Sequence, residues 1–217
     1  MSALVLFRSW RSVVGGASPL GLLFGVIVSL LNGASWPLLT SLSLVTGVGW
    51  SWAAAGVVMG ALTTSARRAV AASVAFLVMA VGAYYVADLA NGVYQTFDRT
   101  DPMYMTDPTH ERIITDWSGL FSDLVFWSLS AVLLGPLLGL IGWGSRRRDL
   151  AGLLYRLVVP VGALAEMMMR LDAEFRFQPN PITVVTLTLV GVVAVITAGI
   201  FIARHRSVAE TGSTSTS

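Results

Sequence analysis

Three acids stand in or beside long apolar runs, an expensive place for charge. Glu166 interrupts the apolar stretch from Leu150 to Met169, and Arg170 follows it by one helical turn. Asp88 closes another apolar stretch, after Tyr84 and Tyr85 and before Asn91. Tyr84, Asp88 and Asn91 recur at i, i+4 and i+7, so they share one helical face. Asp116 and Asp123 are seven apart and share a face in the same way, and Trp127 continues it. Ser29 and Asn32 end the first apolar stretch. A carboxyl group in apolar surroundings can stay protonated and serve as a general acid. Aromatic faces beside it can stabilise a cation. This chemistry makes Glu166 the candidate proton donor, with Asp88 or Asp123 as the assisting acid or base. Tyr84, Tyr85, Asn32, Trp127, Arg170 and Asn91 are the candidate substrate-binding residues.

Plainer readings stand beside these. Glu166 and Arg170 have the spacing of a helical ion pair. Asp88 and Asp123 lie nearer the water. Tyr84 and Tyr85 suit an interfacial aromatic belt. Met167, Met168 and Met169 suit adaptable packing, and equally a wall against a greasy ligand. Arg156 is expected to snorkel toward the cytoplasmic surface, and Pro136 and Pro160 to kink their helices.

Other chemistries lack their residues. The chain has no cysteine, so disulfides and thiolate metal sites are excluded. It has no phosphate-cradling glycine loop, His-Glu-x-x-His helix or Gly-x-Ser-x-Gly elbow. Asp107, His110 and Glu111 offer only a generic metal-ligand spacing. No metal and no cofactor are expected.

The elements that must position the acids are membrane helices. Of the 217 residues, 55% are hydrophobic and 12% are charged, about half the charge of a soluble domain. A bilayer core of about 30 Å takes about 20 apolar residues per helix. Six stretches answer to this: 13–31, 36–64, 69–89, 120–143, 150–169 and 182–203. The second is too long for one simple span. Thr46, Gly47 and Gly49 are expected to break it, leaving a short interfacial or re-entrant piece before Val48–Thr64. All 14 basic residues are arginine. Nine of them, Arg8, Arg11, Arg67, Arg68, Arg146, Arg147, Arg148, Arg204 and Arg206, fall on alternate connections. The positive-inside rule makes that side cytoplasmic. The expected fold is all-α: a polytopic bundle of about six transmembrane helices with both termini inside, in the plasma membrane. Residues 1–206 form one domain with an outer loop at 91–117, and 207–217 a disordered cytoplasmic tail. The pI near 9.4 reflects these helix-end arginines, so no nucleic-acid partner is expected. Arg8, Arg11 and the apolar run after them also look like a signal peptide, but the leading segment is long and the cleavage site at Asn32–Ser35 is weak. The outer loop carries Asp101-Pro102 and Asp107-Pro108, which predict ordered turns, and 108–117 suits a short surface helix.

The run Gly21-Leu-Leu-Phe-Gly25 with Ser29-Leu-Leu-Asn32, then Trp52, Tyr84-Tyr85 with Asp88, and Gly162-Ala-Leu-Ala-Glu166, resembles a group of actinobacterial membrane proteins of unknown function. The likeness spans most of residues 18–200 and implies a shared fold without an activity. In architecture alone, the chain resembles the integral membrane meroterpenoid cyclases. That likeness implies a membrane carboxylic acid that protonates an epoxide or alkene. The cyclases are usually described with seven helices against six here, and their acids are not matched residue by residue.

Three functions follow as expectations. The most specific is acid-catalysed cyclisation or isomerisation of a lipophilic isoprenoid. The second is a carrier or binder of a small cation or amphiphile, with the same acids as ligands. The third is a non-catalytic membrane subunit. Membrane lipid and a lipophilic small molecule are the expected partners. Oligomeric state and enzymatic character stay open.

Overall fold

The computed structural model describes residues 10–98, 112–176 and 178–213. Seven helices and one short hairpin account for them: α1 (Trp10–Asn32), α2 (Pro37–Thr46), α3 (Gly49–Ala61), α4 (Ala66–Ala90), β1 (Gln95–Phe97), β2 (Ile113–Thr115), α5 (Trp117–Gly144), α6 (Leu150–Arg176) and α7 (Pro181–Ser213). Five helices are long and apolar enough to cross a membrane. The α2–α3 pair, bent by 62° at its break, supplies the sixth apolar element. The protein is an all-α polytopic membrane bundle.

Small residues set the packing, because apolar burial drives little association in a solvent that is itself apolar. Ala17, Gly21, Gly25 and Ser29 recur every fourth residue along α1 and meet α4. A Cβ at Gly21 or Gly25 would overlap the carbonyl oxygens of Phe76 and Ala80. The pairs Gly21–Phe76, Gly25–Ala80 and Ser29–Asp88 advance together, so α1 and α4 run parallel. The chain must therefore return between them, and α3 makes that crossing. At 13 residues α3 spans only about 20 Å. Gly47, just before it, lies against Asn32 at the outer end of α1. On the other side of α4, Gly135 and Gly139 of α5 sit on Val74 and Ala69 in antiparallel order. Gly139 and Gly142 also press against Gly60 and Val57 of α3.

The arginines at the inner end tie helices together. Arg146 donates to the Thr63 carbonyl after α3. Arg156 donates to the carbonyls of Ser145 at 2.7 Å and Arg147 at 2.8 Å. It satisfies the end of α5 from α6 instead of snorkelling free. Asp149 opens α6 by accepting from the Gly152 amide at 3.0 Å, a helix N-cap. Arg147, with that amide, holds the Asp149 carboxyl below the usual carboxylate range.

Several boundaries differ from expectation. Helix α7 continues to Ser213, so the tail after Arg206 begins as helix; Asn180 caps it, with Pro181 at its first position. The end of the outer loop, expected as helix, contains strand β2, which pairs antiparallel with β1. β-branched Ile113, Ile114 and Thr115 favour that extended form. The two Asp-Pro turns and the weak metal triad of Asp107, His110 and Glu111 lie outside the described residues.

Candidate functional site

A cavity of about 280 Å³ lies among α1, α3, α4 and α5, against the α2–α3 break. Its wall includes Val28, Asn32, Trp52, Tyr84, Tyr85 and Trp127, and the backbone of Gly47–Gly49. Four of the expected binding residues, Asn32, Tyr84, Tyr85 and Trp127, therefore meet at one place. They come from three helices, and α4 lends two because consecutive tyrosines flank one side of it. The aromatic rings stand edge to face: Trp52 to Tyr84 at 6.0 Å and Tyr84 to Tyr85 at 5.2 Å. Such contacts hold rings at fixed angles and leave their faces toward the space between them.

One polar chain runs along this wall. The Asn32 amide donates to the Tyr84 hydroxyl at 3.0 Å. Asp88 follows Tyr84 by one turn on the same face of α4. Ser29 donates to Asp88 at 2.6 Å. Asp88 is only 5% exposed and sits behind Tyr84, outside the cavity wall. A buried carboxylate needs such donors, since an unpaired one is very costly.

The other two acids lie elsewhere. Asp123 is exposed and accepts from the Tyr94 hydroxyl at 2.9 Å. Partial burial, and then that bond, raise the Tyr94 hydroxyl above its usual range. Glu166, the candidate proton donor, is not among the hydrogen-bond partners of Asp88 or Asp123. Its hydrogen bonds go instead to the amides of Gly49 at 3.3 Å and Trp50 at 2.9 Å, and to Arg170 at 3.0 Å. The backbone explains this placement. The first amides of a helix have no partner inside it. Val48, the N-cap residue of α3, has no side chain able to cap. Glu166 reaches from α6 to fill that need, and its charge suits the positive end of the helix. Arg170 completes the pair as the plainer reading had it.

Asn91 and Asp116 also serve backbone. Asn91 is the C-cap of α4, followed by Gly92 at φ 75°. The Val93 amide bonds the Asp88 carbonyl and the Gly92 amide the Leu89 carbonyl, the two bonds of a Schellman ending. Asp116 caps α5 through the Gly119 amide at 2.9 Å.

Sequence reasoning did not select Trp52 or the Gly47–Gly49 backbone as site residues. The glycines that predict the break carry the missing signal. A break at membrane depth is tolerated only where it is buried in protein or lines a cavity. No group of three or more His, Asp or Glu able to hold a metal occurs among the described residues.

No family model matches the chain, nor does any curated protein or solved structure. Fold and cavity alone define its class: a multi-pass helical membrane protein with an aromatic cavity at a broken helix.

Proposed function

We propose that this protein holds a lipophilic small molecule in the outer half of the bacterial plasma membrane, as a binder or carrier. One observation carries the reading. A mostly apolar, aromatic-walled cavity contains a polar corner where Asn32 and Tyr84 hydrogen-bond each other. Ligand pockets commonly combine an apolar wall with a few placed polar groups. The apolar wall would hold a hydrocarbon body and the corner would orient its polar end. Asn32, Tyr84, Tyr85, Trp52 and Trp127 are the residues for this role. Asp88 and Ser29 would position Tyr84 from behind.

Acid-catalysed rearrangement of an isoprenoid is the second reading, and Asp88 behind Tyr84 favours it. In this reading Asp88 would supply a proton toward a bound alkene or epoxide by way of Tyr84, one helical turn away on α4, and its carboxylate would take a proton back from the rearranged cation. Asp88 then takes the donor role first given to Glu166, whose oxygens already accept from three groups. Asp123, paired with Tyr94 on the surface, takes no part.

Mass spectrometry of lipophilic material that co-purifies with the protein tests the first reading. Wild-type protein should retain a defined small molecule, and Trp52→Leu with Tyr84→Phe should lose it. Equal retention by the wild type and this double variant would reject the cavity as the site. Turnover of the retained compound, lost in Asp88→Asn, would favour the second reading over simple binding.

A further inference from the structure

The cavity has an open side, and its position indicates what enters. Helices α3 and α5 touch through glycine in their inner halves, at Gly60–Gly139 and Val57–Gly142. Toward the outside, the α5 stripe Trp127, Ser130, Ala131 and Leu134 lines the cavity. Ala131 is buried, but Trp127 is 51% and Leu134 54% exposed. They form a rim facing the surroundings at membrane depth, where the surroundings are lipid. Helix α6 approaches the inner end of α5 at Gly144–Tyr155 and the outer start of α3 at Glu166–Trp50. It thus leans toward α3 on its way outward.

Size and charge restrict the occupant. At about 30 Å³ for each water-sized group, the cavity of about 280 Å³ takes roughly nine such groups. That is enough for a head and the first part of a chain. The backbone amides at the break are not vacant for an anionic head. The Gly49 and Trp50 amides already bond Glu166, and buried Asp88 stands behind the polar corner. The Asn32 and Tyr84 oxygens and the aromatic faces suit a head that donates hydrogen bonds.

We infer that the ligand is an amphiphile with a hydrogen-bond-donating head, an alcohol or an ammonium, which enters sideways from the outer leaflet between α3 and α5 and leaves its tail in the bilayer. The inference rests on the proposed binding role. It adds the route, the head group and the position of the tail.

The absence of cysteine permits a direct test with protein in lipid nanodiscs. Radiolabelled dodecanol, dodecylammonium and dodecyl phosphate share one chain and differ in the head. The alcohol or the ammonium should bind at least about tenfold more tightly than the phosphate, the scale of one hydrogen bond. Whichever of the two prevails identifies the source of the donor. Preference for the phosphate would overturn the head-group assignment. Hexadecanol should bind as well as dodecanol, because the added carbons stay in lipid; rejection of the longer chain would overturn the open side. Leu134→Cys labelled with a bulky maleimide should slow association at least about tenfold. The same label on Leu133→Cys, 71% exposed and off the cavity wall, should leave it unchanged. Equal rates for the two labelled proteins would overturn the lateral route alone. If no probe binds, or binding is indifferent to Trp52→Leu, the binding role itself fails.

Discussion

Glu166 illustrates how one carboxylate changes role once its neighbours are known. In an apolar helix it reads as an acid with a proton to give. In the bundle it is the missing cap of α3, and Arg170 holds it from the other side. Glu166→Ala should therefore cost stability, on the order of 1–2 kcal/mol, the usual penalty for a lost N-cap. Glu166→Gln should cost less, because the amide oxygen can still accept one bond. Thermal unfolding in detergent measures both. A fully stable Glu166→Ala protein with lost ligand retention would return Glu166 to the cavity. Asp149 carries a pH dependence. Its carboxyl is depressed in the folded state by Arg147 and the Gly152 amide. A group with a lowered folded value stabilises above its unfolded value and ceases to do so as pH falls through the folded one. The stability gap between wild type and Asp149→Asn should thus be open near about pH 7 and close below about pH 4, where a free aspartate protonates. A gap that widens on acidification would contradict the cap.

At the scale of elements, the glycine and alanine seams hold the bundle in register. The α1 seam also aligns Ser29 with Asp88 and Asn32 with Tyr84, so it positions the polar corner of the cavity. Gly25→Val would drive a branched side chain into the Ala80 and Tyr84 backbone. Overpacking of this kind typically costs about 1–3 kcal/mol. Gly82→Ala, with open space around its Cβ position, should be tolerated. Thermal unfolding of the two variants compares them directly, and equal stability would reject the seam. The hairpin has a similar positional role. The Asp98 amide bonds the Arg112 carbonyl and the Asp116 amide bonds the Tyr94 carbonyl. Those two amides should exchange slowly with deuterium, as protected backbone does. Rapid exchange at both would mean that β1 and β2 do not stay paired.

For the whole molecule, parallel α1 and α4 require an odd number of return crossings between them, and α3 provides one. Reporter fusions after Arg68, Arg148 and Arg206 should all read cytoplasmic, since these arginines flank the same end of the bundle. An external reading at Arg148 would break the six-crossing arrangement. The cavity lies toward the opposite end, at the level where α1 and α4 finish and α3 begins.

Composition and charge determined the class by themselves. A chain so rich in apolar residues needs lipid as its exterior, and the arginine bias predicts its orientation. Gly47 and Gly49 also marked the broken span, because glycine weakens a helix wherever it falls. Convergence of Asn32, Tyr84, Tyr85 and Trp127 was legible too, since helix periodicity and span order put them near one outer level. The partners of the acids were not legible. Asp88, Asp123 and Glu166 stand at similar depths, but depth says nothing about the direction a side chain takes across a bundle. That direction follows from which helices touch, and small-residue contacts such as Gly25 on Ala80 decide it. The uncapped start of α3 then claims Glu166, Tyr94 claims Asp123, and Asp88 is left behind Tyr84, off the cavity wall. Tertiary structure made these choices because a buried donor left without an acceptor is costly, and only the assembled bundle shows which acceptor is in reach.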